Sequence, residues 1–237
     1  MDHGKQLQDL WIELEAGQVE AIHEARKLTR KAQAYLRALR ASRKAQKPWK
    51  KLRRTLAPVR DLDVTYDHLK RLLKELQADA STLELLKVHF QSQRTRLWSE
   101  LELPSRPRDQ ESPSDLKELV QDTLEEDWSN LKREAKKVLK SEESATWHAW
   151  RKHLKRYRYT LEIVQEAPEE LVKLLKALGN MQDMEVLKGH LDAAPEFLEP
   201  YVPELQDLMV QKHEEARKKA ASVWKDWAST HQVLIES

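Results

Sequence analysis

The chain has 237 residues, of which 40% are hydrophobic, so it is long enough to bury one large core or two small ones. It contains no cysteine, which excludes disulfide bonds and thiol chemistry, and its sequence has no apolar run long enough to cross a membrane. The net charge is only +2, but residues 22–60 contain fourteen lysines and arginines and a single acid, Glu24. That segment carries +13 and the remainder −11, so the charge is strongly polarised along the chain.

The composition predicts an all-α protein. Only four glycines occur, Leu, Ala, Lys, Glu and Gln are abundant, and no long alternation of Val, Ile or Thr indicates a strand. The absence of cysteine fits a reducing compartment, and the amino terminus lacks the basic and then apolar layout of a signal peptide. We therefore expect a cytoplasmic protein.

Helical periodicity and helix-stop signals predict four helices in each half of the chain. In the first half these are residues 5–15, 18–44, 48–77 and 80–103. In the second half they are residues 114–140, 145–166, 169–191 and 201–234. Pro58 should bend or break the third helix, and Gly179 should break the seventh. Residues 104–113, with three prolines and no apolar periodicity, are typical of a linker between repeats at residues 1–103 and 114–237.

The stretch from residue 22 to residue 40 has opposite chemistry on its two sides. At about 100° per residue, its basic and apolar side chains fall on different faces of a helix. The basic face consists of His23, Arg26, Lys27, Arg30 and Arg37. Like charges four residues apart, such as Arg26 and Arg30, cost about 0.2–0.5 kcal/mol per pair. Because the chain tolerates this repulsion, the face predicts a polyanionic ligand.

The basic helix recurs in the second half of the chain at an offset of 125 residues. The overlay aligns a histidine and four cations: His148 with His23, Arg151 with Arg26, Lys152 with Lys27, Lys155 with Arg30, and Arg156 with Lys31. Downstream, residues 181–191 overlay residues 59–69 at an offset of 122, aligning Asp183 with Asp61 and His190 with His68. Two motifs in the same order predict an internal repeat whose copies superpose.

These residues resemble the CHAD family, the conserved histidine α-helical domain, over nearly the whole chain. The second-half residues similar to the family's histidine motif are His148, Arg151, Lys155, Arg156 and Arg158. The first half departs from the family pattern at Gln33, where a basic residue is usual, and at Ala57-Pro58, where a glycine is common. The resemblance implies a single domain of residues 1–237, in which two four-helix bundles, related by a pseudo-twofold axis, surround a basic groove that binds inorganic polyphosphate.

The basic faces, taken together with this resemblance, give the expected polyphosphate-binding residues on the two walls of the groove. The first wall comprises His23, Arg26, Lys27, Arg30, Lys31, Arg37, Arg54 and Arg60. The second wall comprises His148, Arg151, Lys152, Lys155, Arg156 and Arg158. Arginine supplies paired donors and lysine a mobile charge, which suits a chain of phosphates or another polyanion. The expected protein binds without catalysis, has neither cofactor nor metal, and associates with polyphosphate granules in the cytoplasm.

Two other functions stay open. The basic run also permits nucleic-acid binding, although no exposed aromatic series or base-reading motif accompanies it. The acids Asp61, Asp63, Asp183 and Glu185, with the histidines, are residue types of a divalent-metal site in a phosphohydrolase. The simpler expectation is that Asp61 and Asp183 cap a following helix or orient a neighbouring arginine. We expect the tryptophans in the core, with Trp49, beside two lysines, as the exception.

Overall fold

The computed structural model describes residues 2–192 and 194–231, and every regular element in those ranges is helical. The predicted all-α class is therefore confirmed. The first half contains α1 (His3–Asp9), α2 (Trp11–Glu15), α3 (Val19–Ala38), α4 (Arg43–Thr55), α5 (Ala57–Glu75) and α6 (Ala80–Ser99). The second half contains α7 (Leu116–Val138), α8 (Ser144–Leu161), α9 (Glu169–Leu191), a 3-10 helix (Glu196–Tyr201) and α10 (Val202–Thr230). The last residues of the predicted helix 201–234 lie outside the described ranges.

Helix α3 ends at Ala38, so the prediction that it continues to residue 44 is wrong. The backbone turns into the left-handed region at Arg40, where φ is 49°. The amide of Ala41 then donates a hydrogen bond to the carbonyl of Leu36 at 2.8 Å, which is a helix-ending pattern that usually relies on glycine. Because an arginine occupies the turning position, no glycine signals this end in the sequence.

Helix α4 begins before Pro48, which lies inside it, so the predicted start at that proline is also wrong. The side chain of Ser42 caps the helix by accepting a hydrogen bond from the amide of Ala45 at 3.4 Å. The interruption predicted at Pro58 is confirmed, since α4 and α5 are separated at Leu56. Pro58 itself lies in the first turn of α5, where its missing N–H costs no helical hydrogen bond.

Helix α9 continues through Gly179 without interruption, so the break predicted there is wrong. Glycine in a helix interior is less favourable than alanine by about 0.8–1.0 kcal/mol. Leu174, Leu178 and Met181 are buried on either side of the glycine, and tertiary packing of this kind supplies most of the stability of a protein helix. A Cβ atom at Gly179 would lie 3.3 Å from Nη2 of Arg151, which is a tight contact.

The hydrophobic core consists of three clusters of buried side chains. One belongs mainly to the first half and one to the second. The third combines the halves, because Leu72 and Leu73 of α5 pack in the same cluster as Met184 and Leu187 of α9. The two halves therefore share part of their core. The division into two separate four-helix bundles related by a pseudo-twofold axis stays a prediction.

Residues 104–113 contain no helix or strand and pack against the first half. Asp109 accepts a hydrogen bond from the amide of Gly4 at 2.7 Å. The hydroxyl groups of Tyr35 and Ser112 share a hydrogen bond of 2.6 Å. These contacts fix the course of the chain between the two halves.

Trp49 is only 2% exposed and lies in the first-half cluster, so the expectation that it would be the exception among the tryptophans is wrong. The reason is the early start of α4, which places Trp49 on the same buried face as Leu52. The neighbouring lysines then lie on other faces of this helix. Across the described residues, no helix is both long and apolar enough to span a membrane.

Candidate anion-binding cavity

A cavity of about 480 Å³ lies between α3, α4 and α8, and among the described residues no acidic side chain lines it. Helix α3 packs against both α4 and α8, which brings the two basic motifs to a common space. The lysines and arginines in the lining are Arg30, Arg37, Lys50, Arg53, Arg151, Lys152, Lys155 and Arg156. We call this space the basic cavity.

The basic cavity brings together half of the predicted site residues. Those in its lining are Arg30, Arg37, His148, Arg151, Lys152, Lys155 and Arg156. Those outside its lining are His23, Arg26, Lys27, Lys31, Arg54, Arg60 and Arg158. The second predicted wall thus contributes five of its six residues, whereas the first predicted wall contributes two of eight.

Two cations of α4, Lys50 and Arg53, line the cavity but are absent from the predicted site. Together with Gln46 they recur at spacings of four and three, so they lie on one face of the helix. The wrong start predicted for α4 concealed that face. Two side chains of α8 were also missed, His153 and Tyr159. His153 lies 2.8 Å from Glu134 of α7, a contact that no local sequence pattern reveals.

Several predicted cations outside the cavity are paired with carboxylates. Lys27 donates a hydrogen bond to Glu24 at 3.2 Å, within the same helix. Arg158 donates to Glu162 at 2.6 Å, and Lys31 lies 3.8 Å from the same carboxylate. These cations are partly neutralised by acids that lie next to them. They are weaker candidates for an anion than cations without such partners.

Two cations of the basic cavity, Arg37 and Arg156, are bound to the buried carboxylate of Asp127. Arg37 donates through Nη1 at 3.0 Å and through Nη2 to the second oxygen, and Arg156 donates at 3.0 Å. Arg37 also donates to the hydroxyl group of Thr160 at 2.9 Å. Asp127 is 3% exposed and lies on α7. One carboxylate therefore ties α3 of the first half to α7 and α8 of the second.

Arg26 and Arg151 hold corresponding positions in the two repeats, and each has an aspartate nearby. Arg26 is 9% exposed, donates to the carbonyl of Leu56 at 3.2 Å, and lies 3.4 Å from Asp61. Burial lowers the pKa of Arg151, and the charge of Asp183 opposes that shift. Both aspartates lie inside helices and not at caps. Orientation of a neighbouring arginine is thus the better account of Asp61, whereas Asp183 acts on Arg151 through its charge and contacts His68 at 3.1 Å.

The four acids considered as metal ligands have separate partners. Asp61 pairs with Arg26 at 3.4 Å, Asp63 with Arg94 at 2.8 Å, Asp183 with His68 at 3.1 Å, and Glu185 with His213 at 3.4 Å. Within residues 2–192 and 194–231, no group of three or more His, Asp or Glu side chains is arranged to hold a metal ion.

The crowding of cations changes the titration of the residues in the cavity. Burial lowers the pKa of Lys155 to about 7, and the charges of Arg151 and Arg30 add to the effect, while Asp183 opposes it. Burial also lowers the pKa of Arg53, with Arg30 as the next cause. The pKa of His148 falls because of burial and the charge of Lys152. An anion in the cavity would relieve this repulsion.

Over the residues that the structure describes, these features define an all-helical protein with a cavity lined by cations between α3, α4 and α8. The sequence profile of the CHAD domain matches residues 2–173, so the chain belongs to the CHAD family. The resemblance seen in the histidine and arginine motifs is therefore confirmed. A comparison with curated protein sequences finds no match.

The chain is also similar in structure to PptA from Streptomyces chartreusis, with a TM-score of 0.64. The similarity covers 94% of this chain and 96% of that chain, at 16% sequence identity. At this identity the likeness establishes a shared fold and nothing about the ligand.

Proposed function

We propose that the protein binds inorganic polyphosphate in the basic cavity and does not hydrolyse it. The observation that carries the proposal is a cavity with eight lysines and arginines and no acid in its lining. Membership of the CHAD family supports polyphosphate as the ligand. A cytoplasmic location at polyphosphate granules belongs to the same proposal.

The cations without a carboxylate partner carry most of the binding. Among the described residues, no ion pair with an acid involves Arg30, Lys50, Arg53, Arg151, Lys152 or Lys155. A linear polyphosphate presents a negative charge on each unit and no base to read. Arginine forks hold two oxygens at a fixed geometry, and lysines follow the chain as point charges.

Both repeats contribute to one site in this proposal. Arg30 of α3 and Lys155 of α8 occupy corresponding positions in the two repeats, and both line the basic cavity. A phosphate chain held by one helix is presented to the other at high effective concentration. Neither half of the chain should therefore bind well by itself.

The placement of the acids supports the proposal of binding without turnover. Phosphoryl transfer requires a metal or a positioned base next to the reacting phosphate. The candidate acids are instead paired with Arg26, Arg94, His68 and His213. They serve to orient cations and histidines.

The test compares the retention of long-chain polyphosphate, single-stranded DNA and single-stranded RNA on immobilised protein at matched charge. We expect polyphosphate to be retained best, because Tyr159 is the one Phe, Trp or Tyr side chain in the cavity lining and offers little stacking surface. Incubation with Mg²⁺ or Mn²⁺ should leave the polyphosphate length unchanged. Metal-dependent shortening that Asp61→Ala abolishes would establish a hydrolase instead.

Charge reversal at residues that line the basic cavity tests whether polyphosphate binds there. Arg30→Glu and Lys155→Glu should each weaken binding at least tenfold, because each replaces an attraction with a repulsion near several phosphates. Thermal stability should hold or rise, since like-charge pairs on a helix cost about 0.2–0.5 kcal/mol each. Lys5→Glu is the control, because Lys5 is exposed and lies on α1, outside the cavity. If both variants bind like this control, the basic faces are structural.

A further inference from the structure

A second cationic surface runs along α5, outside the basic cavity. It lines a cavity of about 380 Å³, and its cations are Arg60, Lys70, Arg71 and Lys74, with Asp67 as the one acid in that lining. Arg60, Arg71 and Lys74 fall within one narrow face at 100° per residue, flanked by His68 and Lys70. The exposed acid Asp67 lies on the same face, so the cations outnumber the acid there by three to one. We call the four cations and His68 the α5 stripe. With a rise of 1.5 Å per residue, it extends about 21 Å along the helix.

The α5 stripe is connected to the basic cavity by closely spaced cations. Arg26 of α3 lies one helical turn before Arg30, which lines the basic cavity. It donates a hydrogen bond to the carbonyl of Leu56, four residues before Arg60, and lies 3.4 Å from Asp61. Burial is the main cause of the lowered pKa of Arg26; the charge of Asp61 opposes that shift, and the charges of Arg30 and Arg60 add to it. Arg26 therefore lies between the basic cavity and the start of the stripe, with Asp61 beside it.

The cations at the far end of the stripe have no acidic partner among the described residues. Nη2 of Arg71 donates to Nδ1 of His68 at 2.5 Å, and Nε2 of that histidine faces Asp183 at 3.1 Å. Arg71 and Lys74 are both exposed. Their charges are available to a ligand without breaking an ion pair.

The stripe is particular to the first repeat. At the offset of 122 that aligns α9 with α5, Gln182 replaces Arg60 and Asp192 replaces Lys70, although His190 matches His68. The pairing histidine is retained while the cations are lost. Of these two aligned helices, α5 therefore carries the cationic surface and α9 does not.

We propose that the α5 stripe is a second segment of the anion site, which holds the part of a long polyphosphate chain that projects from the basic cavity. This inference rests on the proposed function. It implies that the protein prefers long chains, because a phosphate bound in the cavity tethers the remainder of the chain next to the stripe. A short oligophosphate fills the cavity and does not reach Arg71 or Lys74.

The experiment measures the affinity of Arg71→Glu/Lys74→Glu for tripolyphosphate and for long-chain polyphosphate. We expect at least a tenfold loss for the long chain and less than a twofold change for tripolyphosphate. A long chain offers many overlapping binding positions, which raises its apparent affinity. Because each variant is compared with the wild type on the same ligand, this factor is the same for both and does not affect the ratio of their affinities. The slope of log affinity against log salt should become shallower for the long chain alone.

Lys218→Glu/Lys225→Glu is the control, with the same change in net charge on exposed residues of α10 outside both cavities. It should leave both affinities unchanged. Thermal melting checks that every variant is folded. If Arg71→Glu/Lys74→Glu does not fold, Arg71→Gln/Lys74→Gln removes the same two charges and replaces it in the comparison. Equal losses for both ligands, or no loss for either, overturns the inference and leaves the basic cavity intact. Failure of the wild type to bind any polyphosphate overturns the proposed function itself.

Discussion

Gly179 and Arg151 are in close contact, since a Cβ atom on residue 179 would lie 3.3 Å from Nη2 of the arginine. The guanidinium group therefore rests against bare backbone of α9 on its way to the basic cavity. The sequence overlay aligns Gly179 with Ala57, which directly follows the interruption between α4 and α5 at Leu56. Arg26 donates a hydrogen bond to the carbonyl of Leu56, so the two aligned arginines contact the backbone differently.

Gly179→Ala should separate stability from binding. Alanine is the better helix former by about 0.8–1.0 kcal/mol, so the free energy of unfolding should stay the same or rise. The added methyl group moves Arg151 by a few tenths of an ångström, and polyphosphate affinity should fall several-fold. Urea denaturation and a binding titration measure the two effects.

The matched control for this change is Gly189→Ala in the same helix, where nothing lies within 4 Å of an added Cβ atom. It should gain stability and keep full affinity. An affinity of Gly179→Ala equal to that of the control would mean that Arg151 does not need its position against α9.

Arg53 should contribute to binding and Arg54 should not. Arg53 lines the basic cavity, whereas Arg54 is exposed and outside it. A charge-assisted hydrogen bond contributes about 1.5–3 kcal/mol, so Arg53→Ala should weaken polyphosphate binding tenfold or more. Its salt slope should also become shallower by about one.

Arg54→Ala provides the comparison, because it removes the same charge from the next residue of α4. Affinity titrations at several salt concentrations measure both variants. Equal losses would show that the general charge of α4 matters and not the lining of the cavity.

The contrast between these two arginines shows which part of the site could not be predicted from the sequence. The basic faces of α3 and α8 could be predicted because they follow helical periodicity and recur as a repeat. The face of α4 could not, since its orientation depends on where the helix begins. The preceding turn uses Arg40 at a position where glycine is the usual signal. Ser42, a favoured capping residue, was the signal that could have corrected the boundary.

The pairing of Asp127 with Arg37 and Arg156 also could not be predicted from the sequence, but for a different reason. Arg37 and Asp127 are ninety residues apart, and no local pattern connects them. An acid in the middle of α7 looks like any other polar residue of an amphipathic helix. Only the packing of α3 against α7 and α8 reveals that it is buried between two arginines.

Asp127→Asn should strongly destabilise the fold. Removal of one partner of a fully buried ion pair costs about 3–5 kcal/mol. Two guanidinium groups lose their shared carboxylate here, but both are partly exposed, so the loss should be smaller than that while still well above that of the control. Urea denaturation measures the change. The control is Asp122→Asn, an exposed position of α7, which should stay within about 0.5 kcal/mol of the wild type. Equal stability of the two variants would mean that Asp127 does not hold the halves together.

Lys155 should make polyphosphate binding dependent on pH near neutrality. Its pKa is about 7 in the free protein because of burial and the charges of Arg151 and Arg30, whereas its ordinary value is 10.5. A bound polyanion favours the charged amine and raises its pKa again. Binding near pH 7.5 should therefore take up protons, and affinity should fall as the pH rises from about 6 to about 8.

The same shift predicts the pH dependence of stability without ligand. Between about pH 7 and pH 10.5 the unfolded chain binds more protons at Lys155 than the folded chain, so this residue makes stability rise with pH over that range. Lys155→Met should remove that contribution. The comparison of the two melting profiles isolates it from other titrating groups.

Lys155→Arg tests the binding effect, because arginine keeps its charge throughout this range and should give an affinity with much less pH dependence. Calorimetry in buffers of different ionisation enthalpy measures the proton uptake directly. Long-chain polyphosphate should be used as the ligand. Its terminal phosphates, which titrate near neutral pH, are a small fraction of all its phosphates and therefore contribute little to the measured proton uptake. If Lys155→Arg retains the full pH dependence of the wild type, the titrating group lies elsewhere, and Lys155 does not face the bound phosphate.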